Sequence, residues 1–269
     1  MTADTTALTV IVTGGAGGLG RAMTLGLAKA GIRVAAAELA SRKPAAEELM
    51  QLARSQGLEE YVAVVDCDVT RFADCTAAVQ KTVDRFGAVH GLVNNAGIGM
   101  QDIGPVQVGT RKKFFEVDAA AWCRSIETNV CGPYHMAKAI APALVAQGWG
   151  RIVNVTTSHF TMVMEGFSPY GPSKAALEAA TVIWAKDFAN TGVTVNALVP
   201  GGPANTRMIP LAEIPDRSTL IQPEVMIAPI CWLMSRQSDG VTNRRIIAKE
   251  WNGTLARDIP AQVGAPAGW

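Results

Sequence analysis

"LTVIVTGGAGGLGRA", residues 8–22, runs from a short apolar segment through a cluster of glycines into the first helical pattern of the chain. The apolar part, 8–14, has the length and β-branched content of a strand buried on both faces. The helical pattern covers 19–31. A strand followed directly by a helix points to a crossover connection, and crossovers join parallel strands.

The rest of the chain repeats this unit. Apolar runs at 33–39, 61–69, 90–97, 150–158, 193–201 and 244–251 predict six further strands. Helical patterns at 44–57, 72–87, 117–147, 171–190 and 223–235 alternate with them. The expected fold class is α/β: a doubly wound, Rossmann-type, mostly parallel sheet of seven strands with helices on both faces. No repeat, low-complexity block or linker-like composition shift divides the 269 residues, so one domain is expected. The irregular stretches 98–116 and 202–222 follow the carboxyl ends of the fourth and sixth strands, the edge where open α/β sheets bind ligands. The tail "DIPAQVGAPAGW", 258–269, is rich in Pro, Gly and Ala and reads as extended.

The composition, 49% hydrophobic and 17% charged, suits a buried core and not a disordered chain. A net charge of +1 gives no reason to expect nucleic acid or a membrane surface as partner, and Arg111, Lys112 and Lys113 read as a solvated loop. The first apolar run lacks a preceding basic region and is too short to span a bilayer. Cys67, Cys75, Cys123, Cys131 and Cys231 are dispersed without metal-ligand spacing, which reads as reduced, buried thiols in a cytoplasmic protein without a bound metal.

The glycines carry the first chemistry. Gly14, Gly18 and Gly20, with Leu19 among them, are spaced T-G-x-x-x-G-x-G between strand and helix. Such a loop lets a phosphate approach backbone N–H groups at the positive end of a helix, so a dinucleotide is the expected ligand. The second strand ends at Glu38, where a carboxylate can accept both adenosine ribose hydroxyls and repel a 2′-phosphate. With Arg42 as the nearest following cation, NAD is expected in preference to NADP.

"SPYGPSKAALEA", 168–179, opens an alanine-rich helix with Tyr170 and Lys174. A free phenol titrates near 10, too high for an efficient base at neutral pH. An ammonium group one helical turn away, and the helix N-terminus itself, favour the phenolate. Pro172 is tolerated because first-turn residues have no intrahelical N–H bond to lose.

Taken in order, T-G-x-x-x-G-x-G, "NNAG" at 94–97 and Tyr170-x-x-x-Lys174 resemble the short-chain dehydrogenase/reductase family, in its compact single-domain branch, from about Leu8 to Trp251. The resemblance implies that Asp68 and Val69 face the adenine, and that Asn95, Ala96 and Gly97 pass beneath the cofactor ribose. It implies that Asn129 belongs to the catalytic set and holds a water of a proton relay. Pro200, Gly201 and Thr206 would hold the nicotinamide carboxamide, although "PGGPANT" is one residue longer than the family pattern. Tyr170 would be the general acid/base, and Lys174 would lower its pKa and bind the nicotinamide ribose. The serine that polarises the substrate carbonyl usually stands thirteen residues before the tyrosine. That register falls on Thr157, while Ser158 has the usual residue type; Ser158 is preferred and Thr157 is the alternative.

The expected reaction is hydride transfer between NAD(H) and a secondary alcohol or ketone. Loops 98–116, 159–169 and 202–222 would wall the substrate, and "HFTMVMEGF" at 159–167 suggests apolar bulk. The alternatives are a 3-oxoacyl-thioester reductase and a non-catalytic nucleotide-binding sensor. The resemblance also implies a homo-oligomer, dimer or tetramer, pairing the helices near 117–147 and 171–190. "AKEWNG" replaces the family's glycine pair after the seventh strand.

Overall fold

The computed structural model describes residues 8–104, 111–212 and 214–268. Its strands are β1 (Thr9–Thr13), β2 (Arg33–Glu38), β3 (Val62–Asp66), β4 (Gly91–Asn94), β5 (Gly150–Val155), β6 (Val193–Val199), β7 (Arg244–Ile247) and β8 (Ala265–Pro266). The helices are α1 (Gly18–Lys29), α2 (Lys43–Ser55), α3 (Phe72–Phe86), α4 (Ala119–Ile126), α5 (Gly132–Ala146), α6 (His159–Met162), α7 (Tyr170–Asp187), α8 (Ile227–Leu233) and α9 (Gly253–Asp258). They flank one sheet of order β3-β2-β1-β4-β5-β6-β7-β8. Strands β1 to β7 are parallel, and the order reverses between β1 and β4, which opens a crevice above their carboxyl ends.

The core follows from strand alternation. Val10 and Val12 of β1 face one layer with Met23, Leu27, Ile230 and Leu233, whereas Ile11 faces the other with Leu92, Ile152, Met136 and Ile140. Helix α7 buries a stripe at Lys174, Leu177, Glu178, Thr181 and Ala185. Its register is fixed by polar contacts inside the core: Asn94 Nδ2 donates to Asn154 Oδ1 at 2.9 Å, and Asn154 Nδ2 donates to Thr181 Oγ1 at 2.9 Å.

Several expectations need correction. The sheet has eight strands, not seven, because the tail folds back and adds β8 antiparallel to β7, pairing Arg245 with Ala265. This covers part of an edge whose backbone groups would otherwise lack partners. Strand β7 stops at Ile247 and continues as a 3₁₀ turn, Ala248–Glu250. The helix expected over 117–147 is interrupted by a π turn, Glu127–Cys131. Pro133 has no N–H to give the Asn129 carbonyl, which removes one bond of the α-helical ladder at this point. Among the cysteines, Cys67 and Cys75 are buried, but Cys123 is exposed. The central part of the expected substrate loop 98–116, residues 105–110, and position 213 of the loop 202–222 lie outside the described residues.

Candidate active site

At the crevice, β1 and β4 are locked together by one threonine and one asparagine. Thr13 Oγ1 accepts from the N–H groups of Asn95 and Ala96, each at 3.0 Å, and Asn95 Nδ2 donates to the Thr13 carbonyl at 2.9 Å. Gly20 packs so tightly that a Cβ there would collide with the Gly14 carbonyl and stand 2.6 Å from Asn95 Nδ2. Gly18 has a left-handed φ of +51°, and a Cβ on it would lie 3.1 Å from the Thr206 methyl. The loop is a bare-backbone cradle at a helix N-terminus, which fits a dinucleotide pyrophosphate. Leu19 packs against the core beneath it.

Glu38 is buried at the end of β2. Its Oε2 accepts the Ala16 N–H at 3.3 Å, and Oε1 accepts the Leu39 N–H at 3.2 Å. The guanidinium of Arg42 approaches to 3.7 Å and lies over Gly17. Asp68 holds Thr70 through Oδ1, at 3.0 Å to the N–H and 2.7 Å to the hydroxyl. Val69 is buried, and its carbonyl is 2.9 Å from His135 Nδ1. Pro200 and Gly201 leave β6 at the same edge of the sheet, the Pro200 carbonyl accepting from Lys249 N–H at 3.1 Å.

The second cluster forms where β4, β5, the π turn and α7 meet. The Thr157 hydroxyl lies beside the Tyr170 phenol, where it favours the ionised form. Lys174 is buried one turn further along, its Nζ donating to the Val155 carbonyl at 2.9 Å and lying 5.9 Å from the Tyr170 ring centroid. Asn129 is fully buried; it accepts the Ile98 N–H at 2.9 Å and donates to the Ile98 carbonyl at 2.9 Å and to Ser173 Oγ at 3.0 Å. A Cβ on Gly97 would stand 3.1 Å from Asn129 Oδ1 and 3.7 Å from Lys174 Nζ, so these residues share one site.

The family described as short chain dehydrogenase matches residues 8–213. The chain belongs to the short-chain dehydrogenase/reductase family. Nodulation protein G of Azospirillum brasilense is 38% identical over 192 residues, 71% of this chain and 72% of that protein. A gluconate 5-dehydrogenase from Burkholderia cenocepacia, solved with NADP and tartrate, shares the fold at a TM-score of 0.76 and 24% identity, covering 89% of this chain and 92% of that one. A 3-ketoacyl-(acyl-carrier-protein) reductase from Brucella melitensis, solved with NADH, does so at 0.73 and 24%, covering 87% and 93%. As a family member this dehydrogenase/reductase is an oxidoreductase that uses a nicotinamide cofactor.

In this short-chain dehydrogenase/reductase it is the Thr157 hydroxyl that lies beside Tyr170, whereas Ser158 turns into the following helix. Ser158 is the N-cap of α6: its Oγ accepts the Thr161 N–H at 3.0 Å and bonds Thr161 Oγ1 at 2.8 Å. The Asn129 side chain is likewise committed, to Ile98 and Ser173, and has no amide hydrogen left for a water. Nor does Lys174 set the Tyr170 pKa in this arrangement. Burial pushes the phenol up to about 12, and the opposing influence is the Thr157 hydroxyl. The lysine's own charge is disfavoured by burial, which pulls its pKa down to about 8.

The last shift has a consequence for stability. Lys174 binds its proton less tightly in the folded chain than at its unfolded value near 10.5. The folded state is therefore penalised below about pH 8, and the penalty is relieved as pH rises from 8 to about 10.5. Lys174→Met should melt higher, relative to wild type, at pH 7 than at pH 10, the difference shrinking by about 3–8 °C. Thermal melts at both pH values check this; a constant difference would show that Lys174 titrates normally.

Four further residues support the two clusters. The sequence marks Arg42 only as the nearest cation, and its place over the glycine loop depends on the 3₁₀ turn Ala40–Arg42 that follows β2. Ser173 links Asn129 to α7, its hydroxyl donating to the Tyr170 carbonyl at 2.7 Å. Arg217 braces the segment carrying Thr206, donating to the carbonyls of Thr206 at 2.7 Å and Ile209 at 2.8 Å. Glu178, at helical spacing from Tyr170 and Lys174, was legible in the sequence as a third polar group on one face.

Proposed function

We propose that this enzyme transfers hydride between NAD(H) and a secondary alcohol or ketone carrying apolar bulk. The observation that carries the reading is the convergence of Tyr170, buried Lys174 one turn along the same helix, and Gly97 at the cofactor crevice, with the Thr157 hydroxyl beside the phenol. The bound nicotinamide would supply or accept the hydride. Gly14, Gly18, Leu19 and Gly20 would hold the pyrophosphate, Glu38 the adenosine ribose, and Asp68 and Val69 the adenine. Asn95, Ala96 and Gly97 would line the ribose floor, and Pro200, Gly201 and Thr206 the carboxamide. Tyr170 passes the hydroxyl proton, Thr157 donates a hydrogen bond to the substrate oxygen, and Lys174 binds the nicotinamide ribose beside Gly97. Asn129 holds the Ile98 backbone, and we assign any water-holding role to its main-chain carbonyl, which loses its α-helical donor at Pro133.

Phe160, Val163 and Leu211 are exposed on the segments expected to wall the substrate, which supports an apolar ligand. Reduction of 2-octanone, cyclohexanone, acetophenone and acetoacetyl-CoA with NADH tests the reading. Selective turnover of the thioester would favour the 3-oxoacyl reductase. Binding of NADH without turnover of any would favour the sensor. Exposed Tyr134, Val145 and Ile183 on α5 and α7 support self-association as dimer or tetramer. The unpaired cysteines suit a reducing, cytoplasmic location.

Coenzyme choice rests on Glu38. Its carboxylate favours ribose hydroxyls, while Arg42 beside it offers a counter-charge that lets NADP be tolerated. Glu38→Gln should lower kcat/KM with NAD on the order of ten-fold and raise it with NADP. Wild-type preference for NADP in the same measurement would overturn the assignment.

A further inference from the structure

Three consecutive residues at the end of β5 are each held by a different buried group. Lys174 Nζ donates to the Val155 carbonyl at 2.9 Å. The Thr156 hydroxyl donates to Glu178 Oε2 at 2.8 Å. Arg245 Nη2 donates to the Thr157 carbonyl at 2.6 Å. Arg245 Nη1 also lies 2.7 Å from Glu178 Oε2, with neither side chain more than 6% exposed. Its N–H is poorly aligned with that oxygen, so the contact is an ion pair and not a good hydrogen bond. The Gly268 N–H, on the returning tail, reaches Glu178 Oε1 at 3.4 Å.

A buried ion pair is an expensive way to join α7 to β7. Desolvation can exceed the attraction, and apolar side chains of similar volume often serve stability as well or better. What such residues could not supply is a directed donor. One arm of the Arg245 fork meets the carboxylate and the other holds the backbone of the residue whose hydroxyl lies beside Tyr170. Tyr170, Lys174 and Glu178 follow one another at four-residue intervals on α7, so the helix that presents the phenol also anchors the fork. Contacts run from Tyr170 through Thr157 to Arg245 and Glu178, and back along α7.

We propose that Glu178 and Arg245 are a positioning pair that sets the Thr157 hydroxyl against Tyr170 and the substrate oxygen. Neither touches the reacting atoms. The effect on rate rests on the catalytic reading of Thr157 and Tyr170 given above; the effect on geometry does not.

The test uses two variants of the full chain. Arg245→Lys keeps a positive charge for Glu178 but loses the planar fork and its second arm. Glu178→Leu/Arg245→Met removes both charges together, so neither is left buried alone. Both should bind NADH, followed by fluorescence, within about two-fold of wild type and give cooperative thermal melts. Both should lower kcat on the order of ten-fold for whichever ketone of the panel is reduced fastest, with a smaller change in substrate KM. A spectroscopic readout needs no turnover. The chain has three tyrosines, so with ring-¹³C-labelled tyrosine the Tyr170 Cζ resonance is identified by its loss in Tyr170→Phe. It should move in Arg245→Lys as the Thr157 hydroxyl shifts. An unmoved resonance and wild-type kcat in a folded Arg245→Lys protein would overturn the proposal. Turnover that survives in Tyr170→Phe would instead overturn the catalytic reading and the predicted rate effect, while the resonance still decides the geometry.

Discussion

Tyr170→Phe should lower kcat by about 10³-fold and leave NADH affinity within about two-fold of wild type. The ring stays in place, packed 6.4 Å from Phe167 between centroids, and only the hydroxyl is lost. That hydroxyl is the group through which the substrate proton is expected to pass. Its state also sets the pH dependence. In the free enzyme burial holds the phenol up to about 12, so it stays protonated across the neutral range, the form needed to reduce a ketone. Alcohol oxidation needs the conjugate base. Its kcat/KM should therefore keep rising with pH from 6 to 10, because the phenol stays mostly protonated throughout that range. The phenylalanine variant should show neither the rate nor the rise. Stopped-flow NADH formation across pH 6–10 reads both. A variant keeping most of its rate would remove Tyr170 from the mechanism.

The glycine loop, Glu38, Tyr170 and Lys174 could be found in the sequence because each stands at a boundary that periodicity marks. Gly14 ends an apolar run, Glu38 ends another, and Tyr170 begins a helical pattern. The doubly wound order follows from the same alternation. What the pattern could not give was orientation. Thr157 and Ser158 are adjacent just beyond β5, and which of them meets Tyr170 depends on whether the chain turns into α6 at once. Ser158 begins that turn as its cap, a local competition for its hydroxyl that residue type alone conceals. Strand β8 was hidden for a related reason. Two residues of a Pro/Gly/Ala tail carry no alternation, and their pairing is set by the edge that receives them. The π turn did have a visible contributor in Pro133, but the overall helical pattern over 117–147 does not mark a break there. Arg245 and Glu178 lie 67 positions apart, and the β6–β7 pairing together with the packing of α7 on β6 brings them together.

The two hydroxyls separate sharply in their expected effects. Thr157→Val keeps the shape of the side chain and removes the hydroxyl beside Tyr170, so kcat should fall on the order of 100-fold. The same hydroxyl is what opposes burial at the phenol, so its loss should move the pH-dependent rise in alcohol oxidation to higher pH. Ser158→Ala should leave kcat within about three-fold, because its oxygen is engaged with Thr161. Its cost should appear in stability instead: removing an N-cap destabilises by about 1 kcal/mol, or about 2–4 °C in a chain of this size. Because α6 has only four residues, that loss should be felt locally, in the segment expected to wall the substrate, and KM should rise before kcat falls. Steady-state kinetics and thermal melts of both variants decide between them. The opposite ranking would give the role to Ser158, whose oxygen can go on accepting the Thr161 N–H while its hydroxyl hydrogen turns from Thr161 Oγ1 to the substrate.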